Sequence, residues 1–157
     1  MTVRRAEERD IPGLNRLLRQ VADVHHNGRP DLFRADAKKY TDEELSALLR
    51  DENRPVFVCI GEEGSIDGYA FCVLKQTVGD NILTNMRSLY LDDLCVEEAK
   101  RRQHIGRMLY EHVLRFAKEQ CCHNLTLNVW SCNENAMRFY HALGMQPQKI
   151  CMEQILD

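Results

Sequence analysis

Two runs of sequence decide the fold: Ser88-Leu89-Tyr90-Leu91-Asp92-Asp93-Leu94-Cys95-Val96 and Arg101-Arg102-Gln103-His104-Ile105-Gly106-Arg107-Met108-Leu109. The first is strand-like and apolar, and the second opens an amphipathic helix. A helix start offers unpaired backbone N–H groups and the positive end of the helix dipole, and arginines add positive charge beside it. The two runs therefore predict a loop that binds a phosphate or pyrophosphate, hence a nucleotide-like cofactor. The alternative is an ordinary connection whose arginines are solvated.

Composition restricts the class of protein. A chain of 157 residues with 44% hydrophobic and 29% charged residues is predicted to form a single domain, 1–157. The net charge of -3 argues against a nucleic-acid partner. No run approaches the roughly 18 apolar residues of a membrane span, and the polar start has no secretory pattern. The odd number of cysteines, seven without a C-x-x-C pair, favours a reducing cytoplasm and no metal site.

Apolar periodicity predicts the order β-α-α-β-β-β-α-β-α-β. The predicted strands are 2–5, 55–60, 66–74, 88–96, 125–130 and 149–156, with a loop over 76–86. The predicted helices run from Asp10 to about Val24, from Thr41 to Leu49, from Ile105 to near Gln120 and from Asn133 to Leu143. This order is typical of a mixed sheet with helices packed on its faces.

A second motif follows the fifth predicted strand: Asn133-Glu134-Asn135-Ala136-Met137-Arg138-Phe139-Tyr140-His141-Ala142-Leu143-Gly144-Met145. Asn133 can cap the helix or donate to a ligand. Most of the apolar stripe of this helix belongs to the core. Tyr140 carries a hydroxyl that needs a partner if it is buried, and it is a candidate proton donor to a leaving group.

The two motifs together resemble the GNAT (Gcn5-related N-acetyltransferase) superfamily. The family loop R/Q-x-x-G-x-G/A is matched by Arg101 and Gly106, whereas His104 stands where the first glycine is usual. The later pattern N-x-x-A-x-x-F-Y-x-x-x-G-F is matched by Asn133, Ala136, Phe139, Tyr140 and Gly144, with Met145 for the last aromatic residue. The order of elements matches over the whole chain. The resemblance implies an α/β (mixed α+β) GNAT-like fold, with a mixed, mostly antiparallel central sheet flanked by helices on both faces.

The resemblance also implies acetyl-CoA as co-substrate. The strand end would pair with the pantetheine arm, the loop would wrap the pyrophosphate, and Tyr140 would be the general acid. The implied cofactor-binding residues are Leu94, Cys95, Val96, Arg101, Arg102, Gln103, His104, Ile105, Gly106, Arg107, Asn133 and Tyr140. Histidine tolerates a left-handed backbone less well than glycine, so His104 predicts weaker cofactor binding unless it donates to the phosphate.

Two further groups of residues are candidates for the acceptor end of the site. Asp93 and Asp92 are candidate general bases, and because adjacent strand residues face opposite ways, only one is expected in the cleft. The alternative for each is a solvated carboxylate. His25, His26 and Arg29 follow the first helix, where GNAT-like folds border the acceptor, and are predicted to bind substrate. A polar surface loop is the alternative for that segment.

These residues predict an N-acetyltransferase that moves the acetyl group of acetyl-CoA directly to a primary amine. The acceptor is left open between a small molecule and a peptide or protein amine, and a homodimer is left open as the assembly. The rival hypothesis is a non-catalytic acyl-CoA-binding or regulatory module of the same fold, which the His104 substitution favours.

Overall fold

A five-stranded sheet organises the protein, whose computed structural model describes residues 1–156. The strands are β1 (Thr2–Arg5), β2 (Val56–Ile60), β3 (Ile66–Thr77), β4 (Met86–Val96) and β5 (Asn124–Leu127), and they lie in the sheet in that order. Neighbours from β1 to β4 are antiparallel. Only β5 runs parallel to its neighbour, β4, because α3 carries the chain back between them.

Four helices cover the sheet: α1 (Ile11–Gly28), α2 (Asp42–Leu49), α3 (Ile105–Glu119) and α4 (Glu134–Ala142). Thr41 begins α2 with a capping box, because its hydroxyl accepts from the Glu44 amide at 3.1 Å and the Glu44 carboxylate accepts from the Thr41 amide at 2.8 Å. Short 3-10 turns precede α1 (Glu8–Asp10) and α3 (Glu98–Lys100). None of the helices in the described residues is long and apolar enough to cross a membrane.

The sheet separates two hydrophobic cores. One core lies under α1 and α2 and includes Leu14, Leu17, Leu45, Val58, Tyr69, Phe71 and Cys95. The other lies under α3 and α4 and includes Phe57, Ala70, Leu89, Leu91, Leu109 and Val113. Gly68 lets α3 approach β3, since a Cβ atom there would lie 3.0 Å from the Leu109 side chain and 2.9 Å from the Cys95 carbonyl. The predicted fold class, a mixed α/β sheet with helices on both faces, is confirmed.

The predicted final strand over 149–156 is wrong. Within the described part of the chain this segment has no strand assignment, and the sheet ends on β5. Its apolar side chains, Ile150, Met152, Ile155 and Leu156, are all at least 65% exposed. Alternating apolar residues form a strand only where they pair with the edge of a sheet, and this segment, over the described residues 149–156, does not pair with a strand.

Several predicted boundaries also move. Helix α1 continues through the two histidines to Gly28 instead of ending near Val24, and the Arg29 amide still donates to the His25 carbonyl at 2.9 Å. Strands β3 and β4 pair as far as Thr77 and Met86, so the loop between them spans 78–85 instead of the predicted 76–86. Strand β5 ends at Leu127, three residues before its predicted end at Trp130.

Candidate active site

The parallel strands β4 and β5 diverge halfway along β4. Their pairing runs from Ser88 with Asn124 to Leu91 with Leu127. Strand β4 continues to Val96, paired on its other side with β3. The segment 92–96 therefore has one edge that β5 does not cover, and this open edge with its surroundings is called the cleft.

Leu94 and Val96 direct their backbone groups into this cleft. The Glu97 amide donates to the Asp67 carbonyl at 2.8 Å, which fixes the alternation of hydrogen bonds between β3 and β4. By that alternation Asp93 and Cys95 bond to β3, and Leu94 and Val96 face the opening. Of the three residues predicted for this edge, Cys95 thus turns its backbone away. The Val96 carbonyl accepts from the Gln20 side-chain amide at 3.0 Å, so the amide of Val96 and both groups of Leu94 remain for an extended ligand.

A β-bulge in β4 brings both candidate bases to one face. Phe71 of β3 pairs with Asp93 and Cys72 pairs with Leu91, so Asp92 is the extra residue. Leu91 and Leu94, on either side, pack in the core under α3. Asp92 and Asp93 both point toward the α1 and α2 side, where they meet Lys39 and Tyr69. The expectation that these two side chains face opposite ways is wrong, because simple alternation fails at a bulge, and the role of either carboxylate as general base stays a prediction.

Asp93 has the properties of a proton acceptor near neutral pH. Burial raises the pKa of Asp93 to about 6, while the Tyr69 hydroxyl and the charge of Lys39 act in the opposite direction. The Tyr69 hydroxyl donates to the Asp93 carboxylate at 2.9 Å. Tyr69 is fully buried and packs edge-on against Phe71 at 4.9 Å, which fixes its hydroxyl. A carboxylate with this pKa exchanges protons readily at physiological pH.

Asp92 is held by Lys39, a residue of the connection between α1 and α2. The Lys39 Nζ lies 2.6 Å from the Asp92 carboxylate and 5.5 Å from the centre of the Tyr40 ring. Burial lowers the pKa of Lys39, but the hydrogen bond and charge of Asp92 outweigh it and leave that pKa above its ordinary value. Lys39 therefore carries a full positive charge at neutral pH, beside both carboxylates.

Tyr140 lies on α4, near enough to Asp93 for the aspartate charge to act on its phenol. Its ring packs against Phe139 at 5.1 Å and Tyr110 at 6.4 Å, in the core under α3. Burial, followed by the charge of Asp93, raises the pKa of Tyr140 well above its ordinary value. Its phenol is protonated at neutral pH and is a donor. Asn133 caps α4, since its side-chain oxygen accepts from the Ala136 amide at 3.1 Å.

The basic loop lies between Val96 and α3 as predicted from the sequence. Arg101, Arg102, Gln103, His104 and Arg107 are exposed, and the first turn of α3 contains no acidic residue. His104, the N-cap, makes no side-chain cap and has φ 62°, in the left-handed region. Gly106 faces Phe139, whose ring would lie 3.2 Å from a Cβ atom there. The loop presents free helix amides and arginines to solvent beside the open edge of β4, an arrangement suited to a pyrophosphate.

The predicted acceptor residues lie in the last turn of α1 and just after it. The His25 ring packs on Phe33 at 5.0 Å, and Phe33 meets Trp130 edge-on at 5.3 Å. Burial and the charge of Lys39 lower the pKa of His25, so the ring is neutral at pH 7. His26 Nδ1 lies 2.7 Å from the Phe33 carbonyl. These contacts place His25 in an aromatic cluster near Lys39 and His26 against the backbone of the connection that follows α1.

Arg29, predicted to bind substrate, pairs with two carboxylates in this structure, and its role toward substrate stays a prediction. Its guanidinium is bound by Asp31 at 2.7 Å and by Glu153 at 2.8 Å. Because the Arg29 guanidinium already pairs with two carboxylates, it is less available to an acidic substrate. In this structure Arg29 anchors the C-terminal segment through Glu153.

Sequence reasoning missed Lys39, Tyr69, Phe33 and Trp130. Tyr69 had a usable signal, because a tyrosine inside an apolar strand needs a partner for its hydroxyl. Lys39 and Phe33 lie in an irregular connection of 13 residues, 29–41, whose path no periodicity predicts.

Comparison with known proteins agrees with this geometry. The model of the Acetyltransferase (GNAT) family matches residues 21–145. Thialysine N-epsilon-acetyltransferase of Bos taurus is 27% identical over 92% of this chain and 83% of its own length. Peptidyl-lysine N-acetyltransferase YjaB of Salmonella typhimurium is 26% identical over 93% of this chain and 83% of its own.

A solved structure also superimposes over nearly the whole chain. The crystal structure of a mutant of the BH1408 protein from Bacillus halodurans has a TM-score of 0.95 and 32% identity, and covers 99% of each chain. With the family model matching well over half of its length, this chain belongs to the GNAT family, whose members are acetyl-CoA-dependent acetyltransferases.

Proposed function

We propose that this chain moves the acetyl group of acetyl-CoA directly to a primary amine that arrives as a cation. The observation that carries the proposal is the bulge in β4, which sets two carboxylates beside the edge where β5 leaves the strand. The whole chain, 1–157, acts as one domain. The cytoplasm is its proposed location, since all seven cysteines are free thiols.

The cofactor would lie along the open edge of β4. Leu94 and Val96 supply the backbone groups for an amide-containing arm, and the loop from Arg101 to Arg107 faces the pyrophosphate. Gly106 leaves room for Phe139 and brings the start of α3 close to α4. Backbone N–H groups near Val96 would polarise the thioester carbonyl.

The chain's own groups supply both proton transfers. Asp93 takes a proton from the incoming ammonium, and the neutral amine attacks the thioester carbonyl beside it. Tyr140, held neutral by its raised pKa, donates to the departing thiolate. An acyl-cysteine route is disfavoured at β4, because burial raises the pKa of Cys95 to about 12 and leaves a protonated thiol.

The cleft favours a lysine-like amine. Asp92 and Asp93 attract an ammonium group, and the rings of Phe33 and Trp130 offer apolar contact for a methylene chain. The names of two relatives, thialysine N-epsilon-acetyltransferase and peptidyl-lysine N-acetyltransferase, support an ε-amine or its analogue. Both a free amino acid and a lysine in a peptide satisfy this chemistry.

Turnover is tested by thiol release from acetyl-CoA with a panel of lysine, thialysine, lysyl peptides and aminoglycosides. Asp93→Asn is expected to lower kcat by roughly 10²-fold or more. Tyr140→Phe is expected to lower kcat by at least about tenfold. Acetyl-CoA affinity should stay near wild type in both. Wild-type turnover in either variant on the true acceptor would remove that residue from the mechanism.

The stability of Asp93→Asn separates a chemical role from a structural one. The folded-state pKa of Asp93, about 6, is above its ordinary value, so the native state holds a proton that the unfolded state has lost. Stability therefore falls as the pH rises through this interval, and above it the buried charge destabilises the native state. We expect Asp93→Asn to melt at an equal or higher temperature at pH 8. A lower Tm would show that the carboxylate holds the cleft together.

The cofactor loop has a separate test. Acetyl-CoA should raise the Tm of the wild type by mass action, and Arg101→Ala or Arg107→Ala should reduce that shift, more at low salt than at high salt. Arg115→Ala, an exposed arginine further along α3, is the matched control. Equal shifts in all four proteins would remove the loop from the cofactor site. A non-catalytic acyl-CoA-binding module would show the thermal shift without thiol release for any amine.

A further inference from the structure

Lys39 places an amine of the protein itself where a cationic acceptor would bind. Its Nζ lies 2.6 Å from the Asp92 carboxylate, and Asp92 is the bulge residue next to Asp93. The charges of both aspartates act on Lys39, and Lys39 in turn acts on Asp93. An ammonium held by Asp92 beside Asp93 is the group that the proposed reaction requires.

The Lys39 side chain is also partly exposed to solvent. Lys39 lies on the irregular connection 29–41 and keeps 42% of its side chain exposed, while its partner Asp92 is 23% exposed. A single ion pair with this exposure contributes about 0–1 kcal/mol, so the amine leaves the carboxylate often. Its neighbour Lys38 is held differently, by Asp42 at 3.0 Å and Asn15 at 2.9 Å, on the far side of the connection.

We propose that Lys39 is a substrate of the chain's own active site and is acetylated by the acetyl-CoA bound to the same molecule. This inference rests on the proposed function. Lys39 loses a proton to Asp93, and its Nζ then forms a bond to the acetyl carbon as the carbon–sulfur bond breaks. The thiolate takes the proton of Tyr140, and the second nitrogen proton passes to solvent. Tyr140 then regains a proton from solvent as Asp93 releases the one it took. The balance is Lys39-NH₃⁺ and acetyl-CoA giving acetyl-Lys39, CoA-SH and one H⁺.

The modification changes the charge of the cleft. Acetyl-Lys39 carries no charge, so Asp92 loses its only ion-pair partner among the described residues. Two uncompensated carboxylates then face an incoming ammonium, which strengthens its attraction. Self-acetylation would thus replace the Lys39 cation beside the two carboxylates by the ammonium group of an external acceptor.

The same geometry limits the rate. Asp92 raises the pKa of Lys39, so only a small fraction of the amine is neutral at pH 7. The reaction should be slower than turnover on a free amine, and should become faster as the pH rises. Because amine and thioester lie on one chain, it should be first order and independent of protein concentration.

The test is mass spectrometry of the purified full-length protein incubated with isotopically labelled acetyl-CoA. The expected result is one acetyl group per chain at Lys39, at the same rate after tenfold dilution. Lys38, in the same segment, and Lys118, exposed on α3, report uncatalysed chemical acetylation. Tyr140→Phe and Asp93→Asn should slow labelling of Lys39 and leave that of Lys118 unchanged. A competing amine acceptor should protect Lys39.

Lys39→Arg keeps the ion pair and removes the acetylation site. It should abolish the single labelling event. Labelling of Lys39 no faster than Lys118, or unaffected by Tyr140→Phe, would overturn the proposal while thiol release with free amines still supports the proposed function. Absence of thiol release with every amine, together with an unlabelled Lys39, would instead count against the function itself.

Discussion

At the scale of single residues, the site depends on the hydrogen bond between the Tyr69 hydroxyl and the buried Asp93 carboxylate. The Tyr69 hydroxyl donates to Asp93 at 2.9 Å and lowers its pKa, whereas burial raises it and prevails. The pKa of about 6 is thus a compromise between two opposing effects, and either can be changed alone. This makes the pH profile of the enzyme a direct measure of the pair.

Tyr69→Phe should move the acidic limb of the profile of kcat/KM to higher pH. The phenylalanine keeps the ring packed on Phe71 and removes only the hydroxyl that stabilises the ionised carboxyl, so the pKa of Asp93 rises further above 6. Activity should fall most near pH 6 and approach wild type at alkaline pH. Tyr40→Phe is the control, since its hydroxyl meets Arg54 at 3.3 Å and not Asp93. An unshifted limb in Tyr69→Phe would assign it to another group.

At the scale of elements, the basic loop before α3 contains two left-handed residues that are not glycine. Arg102 has φ 63° and His104 has φ 62°. A side chain in this region costs about 1 kcal/mol relative to an ordinary conformation, and glycine does not incur that cost. The strain lies at the position where the family pattern has glycine, which agrees with the sequence argument for His104.

His104→Gly should give an equal or higher Tm, with a gain of up to about 1 kcal/mol in the free energy of unfolding. Relief of the left-handed strain favours the native state, and the extra freedom of glycine in the unfolded chain offsets part of it. Acetyl-CoA should bind equally well or more tightly. His104→Ala removes the imidazole and keeps the strain, so it serves as the comparison in thermal melts. Weaker acetyl-CoA binding in both variants would show that the imidazole donates to the phosphates.

The elements also show where reasoning from sequence succeeds. Helix α3 was predictable because its apolar period is long and unbroken, and strand β4 because the run 88–96 is largely apolar. The capping box at Thr41 indicated the start of α2. The bulge at Asp92 was not predicted from simple alternation, which assigns adjacent residues to opposite faces. At the bulge, the buried apolar positions change from the odd-numbered Leu91 to the even-numbered Leu94. Lys39 was not predictable at all, since its connection takes its path from contacts with β4 that are distant in sequence.

At the scale of the whole molecule, the apolar side chains of 149–156 lie outside both the sheet and the hydrophobic cores. Ile150 and Met152 are 78% and 85% exposed. The ion pair of Glu153 with Arg29, the residue after α1, connects this segment to the rest of the fold. Exposed pairs of this kind contribute about 0–1 kcal/mol. The segment therefore adds little to the stability of the fold as described.

Removal of residues 149–157 should leave the Tm of a dilute sample within a few degrees of the full chain. Little apolar surface is buried by 149–156, so little burial energy is lost. Circular dichroism melts at several protein concentrations check this, with Glu153→Gln as a milder variant that removes only the ion pair. A large, concentration-dependent loss of Tm on truncation would show that the segment packs on a second copy of the chain.

The bulge in β4 has a consequence for how this strand tolerates insertion and deletion. Before it, the odd-numbered Leu89 and Leu91 face α3; after it, the even-numbered Leu94 and Val96 do. A deletion within an uninterrupted strand turns every later side chain to the opposite face. Deletion of Asp92 would instead leave every later side chain on its present face. It would remove the bulge and restore simple alternation through Leu91, Asp93 and Leu94. Asp92 is thus a residue that the fold can lose in one step, while Lys39 would lose the carboxylate that holds it.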